Sequence, residues 1–458
     1  MSAPGCKTAS MSQHPEFLQP ARELEVIDQA DVVVVGGGAG GVGAAISAAR
    51  GGAKTILIER FGALGGTWTS GILGMIMVNW TARGIFEEFR QKLATLGAWQ
   101  EIRSSWPYWG GDKEPAETAS YEGTYDAETA KAVLDEMALA AGVQVYYFAQ
   151  VVQVFKSTDG RRVTGVAIQS KEGLHVIAGK VFIDSSGDGD LSALAGAGFE
   201  IGSPADGSLQ PMTLIFKLDN VDTPRAQEYV KGDWGCHLAW QAARERGEVT
   251  VQRDSVVLNP APKAGQWCFN STRIQGLDGT KLKDVSVAMI EGRRQAAEVA
   301  GFMRKNIPGF ENAILSETAP HIGVRETRRI KCNYTVTGED VSNCHKHPDV
   351  IARGNWPVDV HSPTGETTAV KPIRNGAYYE IPYRSTTVEG FDNLLVASRC
   401  IDSTHEGHAG LRASPQVCAI GQGVGAAAAQ MIARNLPTTR DVDVPMLQKS
   451  LREAGALV

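Results

Sequence analysis

Asp31-Val-Val-Val-Val35-Gly36-Gly-Gly-Ala-Gly-Gly41-Val-Gly-Ala-Ala45 is the stretch on which the reading of this chain turns. The β-branched run up to Val35 has no polar face, as expected of a strand buried on both sides of a parallel sheet. It passes straight into glycines. Gly36, Gly38 and Gly41 satisfy G-x-G-x-x-G, and Ala44, Ala45, Ile46, Ala48 and Ala49 continue as a small-residue helix that can lie close to a sheet. After the Gly51-Gly52 stop, a second apolar strand, Thr55-Ile-Leu-Ile58, ends in Glu59. The order predicts a complete βαβ unit that binds a dinucleotide.

Residue type supplies the mechanics. Gly36 permits the tight turn, Gly38 lets a pyrophosphate approach the backbone, and Gly41 allows close helix packing, with Ala39 and Gly40 on the same cofactor surface. The helix start presents unpaired N–H groups to the phosphates. Glu59 stands where a carboxylate accepts hydrogen bonds from the adenosine ribose. Next comes Arg60 and then Phe61-Gly-Ala-Leu-Gly65-Gly66-Thr67-Trp68-Thr69-Ser70-Gly71, a second flexible, hydroxyl-bearing loop. Such a loop suits a long, extended cofactor and favours FAD over NAD.

The 458 residues suggest two or three domains at ~150 residues each. Lys plus Arg total 45 and Asp plus Glu 51, a net charge of −6, so no basic balance recommends nucleic acid or an anionic membrane as partner. At 43% hydrophobic and 21% charged the chain is too apolar for disorder. The uncharged run Gly71 to Trp80 is far below the ~20 residues of a membrane span. Residues 1–28 read as a loose N-terminal arm of a cytoplasmic protein. The seven cysteines, Cys6, Cys236, Cys268, Cys332, Cys344, Cys400 and Cys418, contain no C-x-x-C pair and read as reduced thiols.

Further along, Asp126 is expected to cap a helix carrying Val133, Leu134, Met137 and Ala141, ended by Gly142. Strands are expected at 143–148, 151–156, 163–168 and 175–183, a β-meander leading into Asp184-Ser-Ser186-Gly187-Asp188-Gly-Asp190. A strand is expected over 213–218. Asp284 is expected to cap a long helix before Pro308-Gly309. Near the C-terminus Asn393–Ala397 reads as a buried strand, the loop from Asp402 to Arg412 follows, and Ser414-Pro415 opens a helix as N-cap and first residue. That helix start is expected to point its positive end at a flavin ring.

Glu59-Arg60…Gly65-Gly66, Ile183–Asp190, Gln210-Pro-Met-Thr213, Ile322-Gly-Val-Arg-Glu-Thr-Arg-Arg-Ile330 and Asn393–Cys400 together resemble one family of FAD-dependent oxidoreductases. The family has the glutathione-reductase-type flavoprotein fold, on the branch near the fumarate reductase flavoproteins. The resemblance spans about residues 29 to 436. It implies an α/β architecture: a Rossmann-like FAD-binding domain with a parallel sheet and β-meander, and an inserted α+β substrate domain. The FAD domain would comprise 29–72, 123–207 and 385–440, the substrate domain 73–122 and 208–384, and 441–458 a tail. It also implies that Gly36, Gly38, Gly41, Glu59, Arg60, Gly65, Gly66, Val151 (by its backbone) and Gly187 contact FAD, with Thr67 and Ser186 in the same loops. Arg399 and Ser414 would lie at the flavin end. The family's usual Ala-Thr-Gly is here Ser185-Ser186-Gly187.

For the chemistry, the protein need supply only substrate orientation and one proton acceptor or donor. His405 and His408 flank the loop expected to face the flavin and are the acid/base candidates; His405 is also a conceivable covalent attachment point. Arg325, with Arg328 and Arg329 nearby, is a candidate clamp for a substrate carboxylate, although three arginines within five positions cannot all point one way. Trp106, Tyr108 and Trp109 offer an aromatic wall or a packing cluster. Cys344-His-Lys-His347 lacks a second ligand pair, so no metal is expected. Tyr378, Tyr379 and Tyr383 fit strand positions as well as proton donors.

The leading expectation is an FAD-dependent dehydrogenase or oxidase that moves a hydride from a small polar organic substrate onto flavin N5. The alternatives are a flavin-dependent reductase of a C=C bond in an unsaturated carboxylate and a non-catalytic FAD-binding interaction protein. A monooxygenase is less expected because no second G-x-G-x-x-G marks an NADPH domain. Expected partners are the small-molecule substrate and an unidentified electron acceptor, with a homo-oligomer left open; nucleic acid and a membrane span are not expected.

Overall fold

The computed structural model describes residues 23–77, 80–102, 122–365, 368–373 and 376–458. Trp106, Tyr108 and Trp109 lie outside the described residues, as does Cys6. The first strand is Val26–Val35, five residues longer at its start than the apolar run implies. Its first four residues are polar or exposed, which is why they carry no strand pattern, yet Val26, Asp28 and Gln29 pair with Val176, Ile177 and Ala178.

Five parallel strands, Gln144–Tyr146, Thr55–Ile58, Val26–Val35, Gly173–Asp184 and Leu394–Val396, lie side by side. The strand Gly173–Asp184 does two jobs. Its first half pairs antiparallel with Val163–Ser170, which pairs in turn with Gln150–Lys156, and its last three residues pair with Leu394–Val396. Consequently Val35, Ile58, Asp184 and Val396 all end at one edge of the seven-stranded sheet. In open α/β sheets that carboxyl edge is where ligands bind.

The helix Ala39–Arg50 leaves this edge and crosses the helix Ser414–Ala433 by backbone contact. A Cβ on Gly421 would stand 2.0 Å from the Gly40 carbonyl oxygen, and one on Gly425 2.2 Å from that of Ala44. No larger residue fits such a crossing, so the glycine and alanine content of both helices is a packing requirement. Asp126 caps the helix Ala127–Ala140, accepting from Thr129 N at 2.7 Å.

The second region holds the antiparallel sheet Leu258–Pro260, Trp267–Phe269, Phe216–Asp219 and Ile314–Thr318, covered by the helix Leu282–Asn306. Asp284 is not the cap of that helix: Lys281 takes that position, and the Asp284 carboxylate accepts from Asp278 N at 2.9 Å. The strand begins at Phe216 because Met212 and Thr213 make only isolated bridges, to Ile274 and Gly323.

Burial groups the apolar residues into distinct cores. Phe86, Phe89 and Leu93, and also Ile330, Val336, Ile351, Tyr379 and Ile381, pack in the same core as the parallel sheet. A separate core is built from residues between Phe216 and Ala313. The segment read as a tail contains the helix Val444–Glu453, whose Leu447 and Leu451 are buried in the first core. Among the described residues, no helix is long and apolar enough to cross a membrane.

Candidate functional site

At the carboxyl edge Gly36 adopts φ +98°, and a Cβ there would sit 2.4 Å from the Ser185 carbonyl oxygen, so the first glycine turn lies directly on the loop after Asp184. Glu59 holds the turn from the other side. Its carboxylate accepts from Gly37 N at 2.6 Å and Phe61 N at 2.8 Å. Burial raises its pKa above the usual carboxylate range, against the pull of those two amides.

The second glycine loop is docked onto the first. Gly65 N donates to Gly37 O at 2.7 Å, and Gly38 and Gly65 form a bridge. Gly38 is the N-cap of the Ala39–Arg50 helix and provides no side-chain cap, leaving first-turn amides for an anion. A Cβ on Gly38 would meet no protein atom within 4 Å. The space in front of the helix start is therefore open to a ligand rather than filled by packing.

Asp184 orders the third loop, accepting from Ser186 N, Ser186 Oγ and Ser192 N at 2.7–3.1 Å. Gly187, at φ +87°, passes beneath Arg399; a Cβ there would lie 2.5 Å from the guanidinium. Arg399 donates to Asp188 at 2.6 Å, and Thr327 donates to the same carboxylate oxygen.

These loops line one cavity of about 1150 Å³. Gly36, Gly38, Ala39, Gly40, Glu59, Arg60, Gly66, Thr67, Val151, Ser186, Gly187, Arg399 and Ser414 all face it. Gly41 and Gly65 are outside its lining. A Cβ on Gly41 would stand 1.8 Å from Gly36 O, so it supports the turn from behind, and Gly65 joins the two loops.

Ser414 is the first helical residue and Ala413 the N-cap. The Ser414 hydroxyl accepts the indole N–H of Trp68 at 2.7 Å. The expectation of Ser414 as a cap is thus corrected, because a buried indole claims its oxygen.

The profile of the FAD dependent oxidoreductase family matches residues 31–451. The chain belongs to that family. FAD is its cofactor, and the three loops and the uncapped helix start fit a pyrophosphate-bearing dinucleotide. A curated thiamine thiazole synthase of Methanococcus maripaludis (strain C5) is 31% identical over 234 residues, 48% of this chain and 79% of the relative. A geranylgeranyl bacteriochlorophyll reductase-like structure from Thermoplasma acidophilum covers 93% of this flavoprotein and 83% of its own chain, at 15% identity and TM-score 0.46. A myxobacterial chondrochloren halogenase covers 93% and 79%, at 13% identity and TM-score 0.49.

The flavoprotein's cavity continues into a second lobe lined by Thr213, Arg253, Asn270, Arg325, Trp356, Asp359, His361 and Arg412. Arg325 lies here and donates to Pro211 O and Thr213 Oγ1, each at 2.5 Å. Arg412 donates to Asp359 at 3.0 Å. His361 sits on the hairpin Val358–His361/Thr368–Lys371, its Nδ1 3.0 Å from Thr368 Oγ1 and its Nε2 3.6 Å from the Asp359 carboxylate. Burial, then the charges of Arg325, Arg412, Arg253 and Arg273, push the His361 imidazole well below the usual histidine range. Burial and the neighbouring Arg273 bring Arg253 down to about 10, still cationic at neutral pH.

The two expected histidines are elsewhere. The segment read as a loop contains the helix His405–Leu411, capped by Thr404, and neither His405 nor His408 lines the cavity. His405 Nδ1 is bonded to Glu326 at 2.8 Å, and Glu326 also receives Arg329 at 2.6 Å. His408 is buried and neutral, its pKa pushed down to about 3, by desolvation first. Arg328 lines the cavity and bonds Asp190 and Asp188 O, whereas Arg329 does not line it and bonds Gly202 O and Ser403 O.

Tyr379 and Tyr383 donate to Gly410 O and Thr439 O. His345 and His347 come within 4.8 Å of Asp340, but the Asp340 carboxylate already closes the capping box with Thr337.

Sequence reading passed over His361, Arg253 and Arg412. They come from three distant segments, and no spacing signals their meeting.

Proposed function

We propose that this flavoprotein oxidises a small polar organic substrate, as a dehydrogenase or oxidase, with its second lobe as the substrate site. The observation that carries the proposal is continuity: the dinucleotide groove and the lobe holding Arg325 and His361 are one cavity. A substrate seated there meets guanidinium donors and, among them, His361. FAD, when bound, supplies a two-electron acceptor at N5.

The chain's own residues do the rest. Arg325, held by Pro211 O and Thr213 Oγ1, orients the substrate; His361 accepts a proton at one ring nitrogen while Thr368 and Asp359 fix the ring. Burial first, and the surrounding arginines next, hold His361 deprotonated, which makes it an acceptor rather than a donor; the same charges weaken it as a base until an anionic substrate offsets them. Reduction of a C=C bond in an unsaturated carboxylate, the direction suggested by a placement near the fumarate reductase flavoproteins, needs a donor there. In this reading His361 takes the acid/base role first expected of His405 and His408. A cytoplasmic setting belongs to the same proposal and is supported by the six described cysteines, all free.

The test is anaerobic mixing of the yellow holoenzyme with panels of hydroxy acids, amino acids, alcohols and amines, watching the flavin band bleach. Reoxidation of photoreduced enzyme by an enoate, with no bleaching by any reductant, would instead establish the reductase. A flavin spectrum indifferent to every compound would leave a non-catalytic binding protein.

A further inference from the structure

The second lobe is unusual in its charge. Four arginines approach one another around it: the charges of Arg253, Arg273 and Arg412 all bear on Arg325. Among the described residues two acids bear on Arg253 and Arg325: Asp359 on both, and Asp254 on Arg253. Asp359 is buried and pairs with Arg412 at 3.0 Å, and Asp254 is exposed, accepting from Ser255.

Arg253 and Arg325 are the informative pair. Arg253 is 7% exposed, and its bond is to the carbonyl oxygen of Ser255 at 3.4 Å. Arg325 bonds a carbonyl and a hydroxyl. Both therefore spend their donors on neutral oxygens, and both line the cavity. Buried guanidiniums are ordinarily matched by carboxylates, since an uncompensated charge away from water is strongly unfavourable. Among the described residues no carboxylate hydrogen-bonds either guanidinium: Asp359 and Asp254 act on them only through space, and both arginines face the cavity.

We infer that the second lobe recognises a small organic dianion, a dicarboxylate or a phosphomonoester, with Arg253 and Arg325 each taking one unit of its negative charge. The inference rests on the second lobe being the substrate site and names the class of substrate. A planar guanidinium meets either kind of oxyanion through two parallel N–H bonds. Arg412 remains with Asp359 and shapes the lobe. A cationic substrate is repelled by this lobe, and a neutral one leaves both arginines uncompensated.

Equilibrium binding tests this without turnover. The holoenzyme is titrated with malonate, with malonamide as its neutral counterpart, with acetate as the monoanion and with inorganic phosphate. Calorimetry is run beside the flavin spectrum. At least one dianion is expected to bind tenfold or more tightly than malonamide and acetate. Malonate alone assigns the dicarboxylate, and phosphate alone the phosphomonoester. In Arg253→Met that preference should fall at least tenfold with flavin content unchanged, and Arg253→Lys should recover part of it.

Dianions binding no better than malonamide in the unmodified holoenzyme would overturn the inference whether or not the variants fold. So would an unchanged preference in folded Arg253→Met. The two proposals fail separately: tight malonate binding in an enzyme that no reductant bleaches refutes only the oxidation, whereas bleaching by a neutral alcohol without dianion binding refutes only the charge.

Discussion

Trp68 donates its indole N–H to the hydroxyl of Ser414 at 2.7 Å, tying the second glycine loop to the first turn of the late helix. Trp68 is fully buried and stacked on Phe89 at 5.0 Å. The Ser414 oxygen is thus held as an acceptor by the indole, and its own O–H is what it can still offer the cavity. The bond also explains how two segments 346 residues apart keep a fixed distance across the cofactor groove.

Gly38→Val separates cofactor binding from folding. The residue has φ −66°, open to any L-residue, and empty space where a Cβ would go. The substitution should leave the far-ultraviolet circular dichroism intact and lower FAD affinity by more than about tenfold, 1.4 kcal/mol per decade. The ratio of flavin to protein absorbance after desalting measures it, and a fully yellow variant would refute the phosphate approach at this position.

Gly421→Ala should do the opposite, damaging the fold first. Its Cβ would stand 2.0 Å from Gly40 O, and backbone cannot move aside as a side chain can. Overpacking of this kind costs about 1–3 kcal/mol. A lowered melting temperature in the flavin-free protein is the expected result; an unshifted one would mean that the helices separate freely.

The cluster around Glu326 predicts acid sensitivity. His408 is neutral in the fold, with a pKa of about 3 against the ordinary 6.5, so from pH 6.5 downward the unfolded chain takes up a proton that the folded one does not. Stability falls with pH across that window. Desolvation would raise the Glu326 carboxyl, but the hydrogen bond from His405 and the charge of Arg329 hold it below its usual 4.5, and its contribution is lost at still lower pH. Urea midpoints from pH 8 to 4 should decline, with a shallower slope in His408→Gln. Glu326→Gln leaves Arg329 buried without its partner and should cost about 3–5 kcal/mol at pH 7.

His361→Asn tests the proton acceptor. Flavin content should be unchanged, while the rate of anaerobic flavin reduction by an active substrate should drop by about 10²–10⁴. Loss of the pH dependence of that rate, with little change in substrate affinity, would distinguish proton transfer from mere positioning. An unaltered rate would return the role to another group.

The nucleotide half of this protein was legible in the chain because local rules govern it. A turn at φ +98° needs glycine, an uncapped helix start needs a backbone open to an anion, and both are written within ten residues. The same locality misled at Ser414, where Ser-Pro reads as a cap but a tryptophan far away takes the oxygen. It misled again at His405 and His408, whose neighbours in space, Glu326 and Arg329, come from another segment.

By itself the sequence determined the βαβ opening, the family and the cofactor, since each depends on residues close together along the chain. Only the tertiary structure decided which charges meet. Arg253, Arg325, His361 and Arg412 are brought to one cavity by two cores and a hairpin, and a pairwise Coulomb interaction depends on separation in space, which no spacing in the sequence encodes.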